Sequence, residues 1–222
     1  MRCEADCAGS AMWVKETLAQ IAAAPGGAEL VAAFWRPPYR LRPWLAWHWL
    51  TDRLTGRAWQ PGRITERLTV PAEKLVMNAR PLAVVFTTRF PWLSSFGRLA
   101  MVTRPWAIYV QTTIFAPDKP PSPAAVLVFA HELVHVQQGP LLAASIMGEL
   151  LAYYRQSQLR PHLAPGYAAS AGEQDAVAVA ERIDLVNWRQ MRGAARQQLK
   201  EELRWWRNHH PAYRYVPLLP LL

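Results

Sequence analysis

The sequence has few cysteines and no long apolar run, and each scarcity excludes a class of protein. Cys3 and Cys7 are the only cysteines among 222 residues, too few for a disulfide framework or a four-cysteine zinc site. No window approaches the roughly 20 apolar residues that a membrane-spanning helix needs, and early acidic residues argue against a secretory signal. A cytoplasmic location is the expectation, with leaderless export or peripheral membrane association as open alternatives.

Acidic residues are scarce between residues 36 and 104, where twelve arginines or lysines stand against three acids. This segment therefore carries a net charge of +9, equal to that of the whole chain. Such a charge favours an anionic membrane surface or an acidic protein as partner, although a solvated basic face explains it equally well. Nucleic acid is not the expected partner, because the chain lacks any nucleic-acid-binding signature.

Proline, glycine and the apolar pattern divide the chain into three regions. Residues 1–60 contain two short helical patterns and a stretch rich in tryptophan, arginine and proline, and we expect this region to pack on the core. Residues 61–208 are expected to form the main domain. Residues 209–222 are apolar and interrupted by proline, which is typical of an extended strap.

Periodicity also gives the expected bounds of individual elements. Helices are expected over residues 12–24, 27–35, about 140–157 and about 171–208, and Gly193 is the candidate position for a kink in the last. Strands are expected over residues 64–70, 82–88 and 106–113.

The motif HELVH carries the strongest chemical signal in the sequence. Ser122 and Pro123 supply an N-cap and a first-turn proline, so the motif is expected on a helix. His131 and His135 are four residues apart and therefore share a face of that helix, where both imidazoles can reach one ion. Glu132 would stand beside the ion as a proton acceptor.

A catalytic zinc site needs a third protein ligand and one open position. A glycine at 138 and a histidine at 141 would indicate a metzincin, but the chain has Gln138 and Leu141, which excludes that class. The remaining common choice is a glutamate on a later helix. Glu173 fits, because it lies near the start of the last helical pattern on an otherwise apolar face.

Glu173 has a second interpretation. Ser170 and Glu173 have the spacing of a capping box, in which the glutamate reaches back to the serine amide. A helix cap contributes only about 1 kcal/mol, whereas a metal site with two histidines still needs a third protein ligand. The sequence therefore favours the metal-ligand role of Glu173 and leaves capping open. Asp175 and Glu149 are the reserve carboxylates.

HELVHVQQ with GEQDA downstream resembles the gluzincin clan of zinc peptidases, and it is most similar to small bacterial peptidase-like domains with an HExxHxxQ motif. The resemblance covers about residues 80–185. It implies an α+β, zincin-like fold, mostly helical, with a small sheet beside the HExxH helix and a later glutamate helix. It also implies a zinc ion held by His131, His135 and Glu173, with Glu132 as the catalytic carboxylate. Related sequences often have an acidic residue where this chain has Val177.

The expected function is that of a zinc metalloendopeptidase acting on peptide or protein substrates. Glu132 would take a proton from water and pass it to the leaving amine, and the strand at 106–113 would border the cleft and pair with an extended substrate. Tyr167, His162 and Tyr153 are candidate donors to the transition-state oxyanion. The alternative is a catalytically silent zincin scaffold whose basic segment binds an anionic membrane or another protein.

Overall fold

The computed structural model describes residues 2–3, 8–35, 64–69, 83–87, 101–104, 107–116, 119–214 and 216–219. These residues form an α+β structure that is mostly helical. The helices are α1 (Ala8–Ala23), α2 (Gly27–Trp35), α3 (Pro123–Gln138), α4 (Pro140–Ala143), α5 (Ile146–Leu163), α6 (Ala171–Arg182) and α7 (Gly193–His209). The strands are β1 (Arg2–Cys3), β2 (Ile64–Thr69), β3 (Ala83–Thr87), β4 (Met101–Arg104) and β5 (Ala107–Gln111).

The five strands form one mixed sheet in the order β1-β2-β3-β5-β4. β3 and β5 are parallel, with Val85 opposite Tyr109, and the other neighbours are antiparallel. The three strands predicted from the sequence are confirmed to within two residues. The prediction that an extended substrate pairs with the strand at 106–113 is wrong, because β3 and β4 already occupy both hydrogen-bonding edges of β5.

Helix α3 begins where Ser122 and Pro123 predict, and both of its ends are encoded locally. The Ser122 side chain accepts a hydrogen bond from the Ala125 amide at 3.2 Å, and Pro123 occupies the first turn, where a missing N–H costs nothing. Gly139 ends the helix with a φ of 77°, which favours glycine over residues with a Cβ. The HELVH motif therefore lies on a helix, as predicted.

Two predicted helices are interrupted. The expected helix at 140–157 divides into α4 and α5, because Ser145 caps a new helix by accepting from the Gly148 amide. The expected helix at 171–208 divides into α6 and α7. Asp184 adopts a left-handed conformation and a short 3-10 segment, Leu185–Gln190, follows it, so the chain changes direction well before Gly193.

The interior contains two apolar clusters, and α5 contributes to both. The first packs α1, α2, the sheet and α3 together around aromatic residues such as Phe86 and Phe129. The second joins α5, α6, α7 and the C-terminal residues around Trp206. Because α5 lies between these clusters and packs along α3, it faces the two motif histidines.

Most of the basic segment and of the tryptophan-rich stretch lies outside the described residues. The predictions of an anionic partner for residues 36–104 therefore stay predictions. Within the described part of the chain, no helix combines the length and apolar character needed to cross a membrane.

Candidate metal centre

His131 and His135 lie one turn apart on α3 and point into the space between α3 and α5. Their residues are only 6% and 8% exposed. Their Nε2 atoms are 3.1 Å apart, and the two rings are inclined at 75°. The prediction that both imidazoles reach one point is confirmed by this geometry.

Glu149, on the second turn of α5, supplies a carboxylate at the same point. Its Oε2 is 3.3 Å from His135 Nε2 and its Oε1 is 3.7 Å from His131 Nε2. One potential ligand atom from each of the three residues lies within 4.8 Å of the others. We call His131, His135 and Glu149 the HHE cluster.

The spacing of the HHE cluster fits a small divalent cation. An ion bound tetrahedrally at about 2.0–2.1 Å from nitrogen and oxygen ligands places those ligand atoms about 3.3 Å apart. The closest separations in the cluster, 3.1, 3.3 and 3.7 Å, bracket that value. Because the two separations from Glu149 involve different oxygens, a small rotation of its carboxylate would bring one oxygen into range of both imidazoles. The cluster can therefore hold a metal ion.

Two glutamines fix the orientation of the imidazoles. Gln156 Oε1 lies 2.8 Å from His131 Nδ1 while its amide nitrogen donates to Glu173 Oε1. Gln138 Oε1 lies 3.1 Å from His135 Nδ1 while its amide nitrogen donates to a backbone carbonyl. Since each amide nitrogen already faces an acceptor, each amide oxygen must accept the Nδ1 proton. When the rings are neutral, both Nε2 lone pairs are thereby directed at the shared point, as metal-binding histidines require.

The electrostatics of the cluster favour a positive charge there. Burial lowers the pKa of His131 from its usual value, so that ring stays neutral. Burial alone would also lower the pKa of His135, but the Glu149 carboxylate outweighs it and raises that pKa to about 9. Burial would raise the pKa of Glu149, but the adjacent histidines and the Tyr213 hydroxyl hold it at about 2. The carboxylate stays ionised, and either the protonated His135 ring or a bound cation balances its charge.

Glu149 is held in place from two sides. The Tyr213 hydroxyl donates to its Oε1 at 2.8 Å, which fixes the carboxylate relative to the C-terminal segment. The same segment caps α5, because the Ile146 and Met147 amides donate to the Pro217 and Leu218 carbonyls. The C-terminal residues therefore pack on the body, as the apolar pattern predicted, and they also stabilise the helix that carries Glu149.

Gly148 precedes Glu149 and is required by close backbone packing. A Cβ at this position would collide with the carbonyl of Leu142 in the preceding turn. The Gly148 carbonyl also accepts the hydrogen bond from Gln138. The absence of a side chain at 148 thus allows α5 to start against α4. The Gly148 carbonyl connects α5 to Gln138, which is the hydrogen-bond partner of His135.

Replacing Gly148 by alanine is expected to displace the start of α5 and to weaken metal binding together with folding. We expect a lower melting temperature, measured by circular dichroism, and a lower zinc content after dialysis. Gly166 is the matched control, because a Cβ there would meet nothing within 4 Å; the Gly166→Ala variant should retain both properties. Unchanged zinc content and melting temperature in Gly148→Ala would contradict the assigned packing.

The structure places Glu173, the expected third ligand, outside the HHE cluster. Its Oε2 accepts from the Ser170 amide at 2.7 Å and its backbone amide donates to the Ser170 hydroxyl, which completes the capping box. Its Oε1 accepts from Gln156 and from the Tyr167 hydroxyl, both at 3.1 Å. Glu173 therefore acts on His131 through Gln156, whereas Glu149, a reserve candidate in the sequence, reaches the histidines directly.

The other candidate residues have different positions. Asp175 lies 3.3 Å from His210 Nε2 and outside the cluster, and His162 is exposed. The Tyr167 hydroxyl donates to Glu173, and burial with that carboxylate raises its pKa to about 12. The Tyr153 ring lies 4.7 Å from the His131 ring, so this candidate donor lies beside the cluster.

Glu132 is 6% exposed and adjoins His131 in sequence. Its negative charge acts on both imidazoles, where it opposes the effect of burial on their pKa values. A buried carboxylate next to a candidate metal centre is the arrangement in which a proton acceptor is useful. Glu132 therefore lies close enough for its charge to act on both imidazoles, and its role as a proton acceptor stays a prediction.

Three residues that position the cluster were not assigned that role from the sequence: Gln138, Gln156 and Tyr213. Gln138 was detectable in principle, because it completes the HExxHxxQ pattern one turn after His135. Gln156 and Tyr213 carry no local signal, since their roles depend on how α5 and the C-terminal segment pack.

Comparison of the chain with protein families, curated proteins and solved structures returned no match in any of the three.

Proposed function

We propose that this protein is a zinc-dependent metallopeptidase of the HExxH type with a zincin-like fold. The HHE cluster carries the proposal: two oriented imidazoles and an ionised carboxylate converge on one point, and Glu132 adjoins them. Two histidines and one glutamate are the protein ligands of known catalytic zinc sites, in which the fourth position holds water. Zinc is proposed over magnesium or calcium because those ions select oxygen ligands.

Each residue would have a defined task. When bound, zinc would polarise a water molecule and lower its pKa toward about 7. His131 and His135 would bind through Nε2, because Gln156 and Gln138 accept the Nδ1 protons. Metal binding would displace the Nε2 proton of His135. Glu132 accepts the proton of the attacking water and then delivers it to the amine that leaves.

Tyr153 and Tyr213 form a hydroxyl pair beside Glu149. Their oxygens are 3.3 Å apart, and Tyr213 donates to Glu149. Burial, together with the Glu149 charge, raises the pKa of each well above its usual value, so both stay protonated near neutral pH. Tyr213 acts as a positioning residue through Glu149.

The proposal predicts one zinc ion per chain and a peptidase activity that depends on it. Metal content is measured by mass spectrometry after purification without added metal, and activity by cleavage of labelled casein. The chelator ortho-phenanthroline should remove both, and added zinc should restore them. The non-chelating meta isomer is the control. Purified protein without metal that cleaves casein equally well would contradict the proposal.

A further inference from the structure

A cavity of about 680 Å³ lies between the end of α3 and the start of α7. This volume is in the range of pockets that bind small molecules or peptide side chains. Its walls include Gln138, Leu141, Trp188, Arg189, Arg192 and Arg196. We call it the arginine cavity.

The arginine cavity is positively charged, since three of its lining residues are arginines and none is acidic. Arg192 Nη1 donates to the carbonyls of Arg189 and Met191, both at 2.8 Å. The Arg189 guanidinium lies 5.5 Å from the centre of the Trp188 ring. Among the ion pairs between described residues, none involves these arginines, whereas the nearby Arg182 pairs with Glu202 at 2.9 Å. The cavity thus offers guanidinium groups to an external anion.

Apart from Gln138, the remaining walls are apolar. Leu141 is 45% exposed although it is a large aliphatic residue, and Trp188 is 6% exposed. A guanidinium beside apolar walls favours a ligand that combines an apolar body with a carboxylate, because the ion pair is then partly shielded from water. A strongly hydrated ion without an apolar body gains less from such a site.

Gln138 connects the arginine cavity to the HHE cluster. It contributes to the cavity wall, and its Oε1 is the hydrogen-bond partner of His135 Nδ1. One side chain therefore separates the cavity from a metal ligand. An extended peptide advances about 3.3 Å per residue, so a few residues span this separation.

We propose that the arginine cavity binds a carboxylate of the substrate peptide, and that the protein prefers peptides with an acidic group near the bond to be cleaved. This inference rests on the proposed peptidase function, which it extends to a substrate class. The carboxylate could belong to an acidic side chain or to the C-terminus of the peptide. Both sources present the same planar group to the arginines.

Binding of three labelled peptides to the Glu132→Gln protein tests the proposal without cleavage. The probes are Ala-Leu-Glu-Leu-Ala with an amidated C-terminus, its Gln counterpart, and the Gln counterpart with a free C-terminal carboxylate. Fluorescence anisotropy at physiological ionic strength should show at least about 10-fold tighter binding of one or both carboxylate peptides than of the neutral one. The peptide that binds more tightly than the neutral one identifies the source of the carboxylate.

Removing two arginines should abolish this preference. In the Glu132→Gln background, Arg189→Gln with Arg196→Gln is expected to reduce it to less than about 3-fold, whereas Arg192 is kept because it bonds to the backbone. Arg204→Gln with Arg207→Gln, on α7 outside the cavity wall, is the control of equal charge and should retain the preference. Equal binding of all three peptides, or an equal loss in the control, would overturn the proposal.

The binding assay separates this inference from the peptidase proposal. Loss of the peptide preference in a protein that holds zinc and cleaves casein counts against the arginine cavity alone. A retained preference in a protein that holds no zinc and cleaves nothing counts against the peptidase proposal and leaves the cavity supported as an anion-binding site.

Discussion

Replacing Glu149 by alanine is expected to remove stable zinc binding, whereas replacing Glu173 by alanine should weaken it only partly. Outer partners of metal ligands typically change metal affinity by about 10- to 100-fold, and Glu173 belongs to that class because Gln156 separates it from His131. Loss of a direct ligand should exceed that range. Competition with a chromophoric zinc chelator measures both affinities on the same scale.

Two further variants make this comparison interpretable. Glu149→Gln keeps the size of the side chain and an acceptor for the Tyr213 hydroxyl, so it separates loss of the charged ligand from loss of packing. Glu181→Ala removes an exposed carboxylate from α6, the helix that carries Glu173, and should leave zinc affinity unchanged. Circular dichroism checks that each variant folds.

The opposite result would reassign the site. If Glu173→Ala lost zinc completely and Glu149→Ala retained it, the third ligand would be Glu173, and α6 would have to approach the histidines more closely. The capping box would then have to open, because Glu173 Oε2 now accepts the Ser170 amide at 2.7 Å. The comparison of zinc affinities therefore decides whether Glu149 or Glu173 is the third metal ligand.

Local signals were sufficient to predict the helix that bears the histidines. Ser122, Pro123 and Gly139 define its ends through hydrogen bonds and backbone geometry within a few residues. The four-residue spacing of the histidines then places both on one face. The strands at 83–87 and 107–111 were also predictable, since β-branched and aromatic residues mark them.

The third carboxylate was not predictable, because its position depends on packing between distant segments. The sequence showed that Glu149 and Glu173 both lie on apolar helical faces. Which of them faces α3 is decided by how α5 fits between the two apolar clusters, and this depends on contacts far apart in the chain. The capping box at Ser170 was a correct local signal, and the structure shows it formed.

The position of β5 inside the sheet could not be predicted from the sequence for a similar reason. Strand propensity reports that residues 107–111 are extended, but it carries no information about which strands flank them. β4, four residues at Met101–Arg104, was not predicted at all, and it occupies an edge of β5 that a substrate strand would need.

Replacing Glu132 by glutamine should abolish peptide cleavage while leaving zinc content and stability unchanged. The amide has nearly the same shape as the carboxylate but cannot accept the proton of the attacking water. Loss of a general base typically lowers the rate by about 10²- to 10⁴-fold. Casein cleavage measures the activity, and mass spectrometry measures the zinc that the same sample retains.

The control for Glu132→Gln is Glu181→Gln, which makes the same chemical change at an exposed site on α6. It should retain full activity. Cleavage at the wild-type rate by Glu132→Gln would contradict the role of Glu132, even if zinc is bound. Loss of zinc from Glu132→Gln would instead make Glu132 part of the metal-binding set, because the histidines and Glu149 would not be enough to hold the ion.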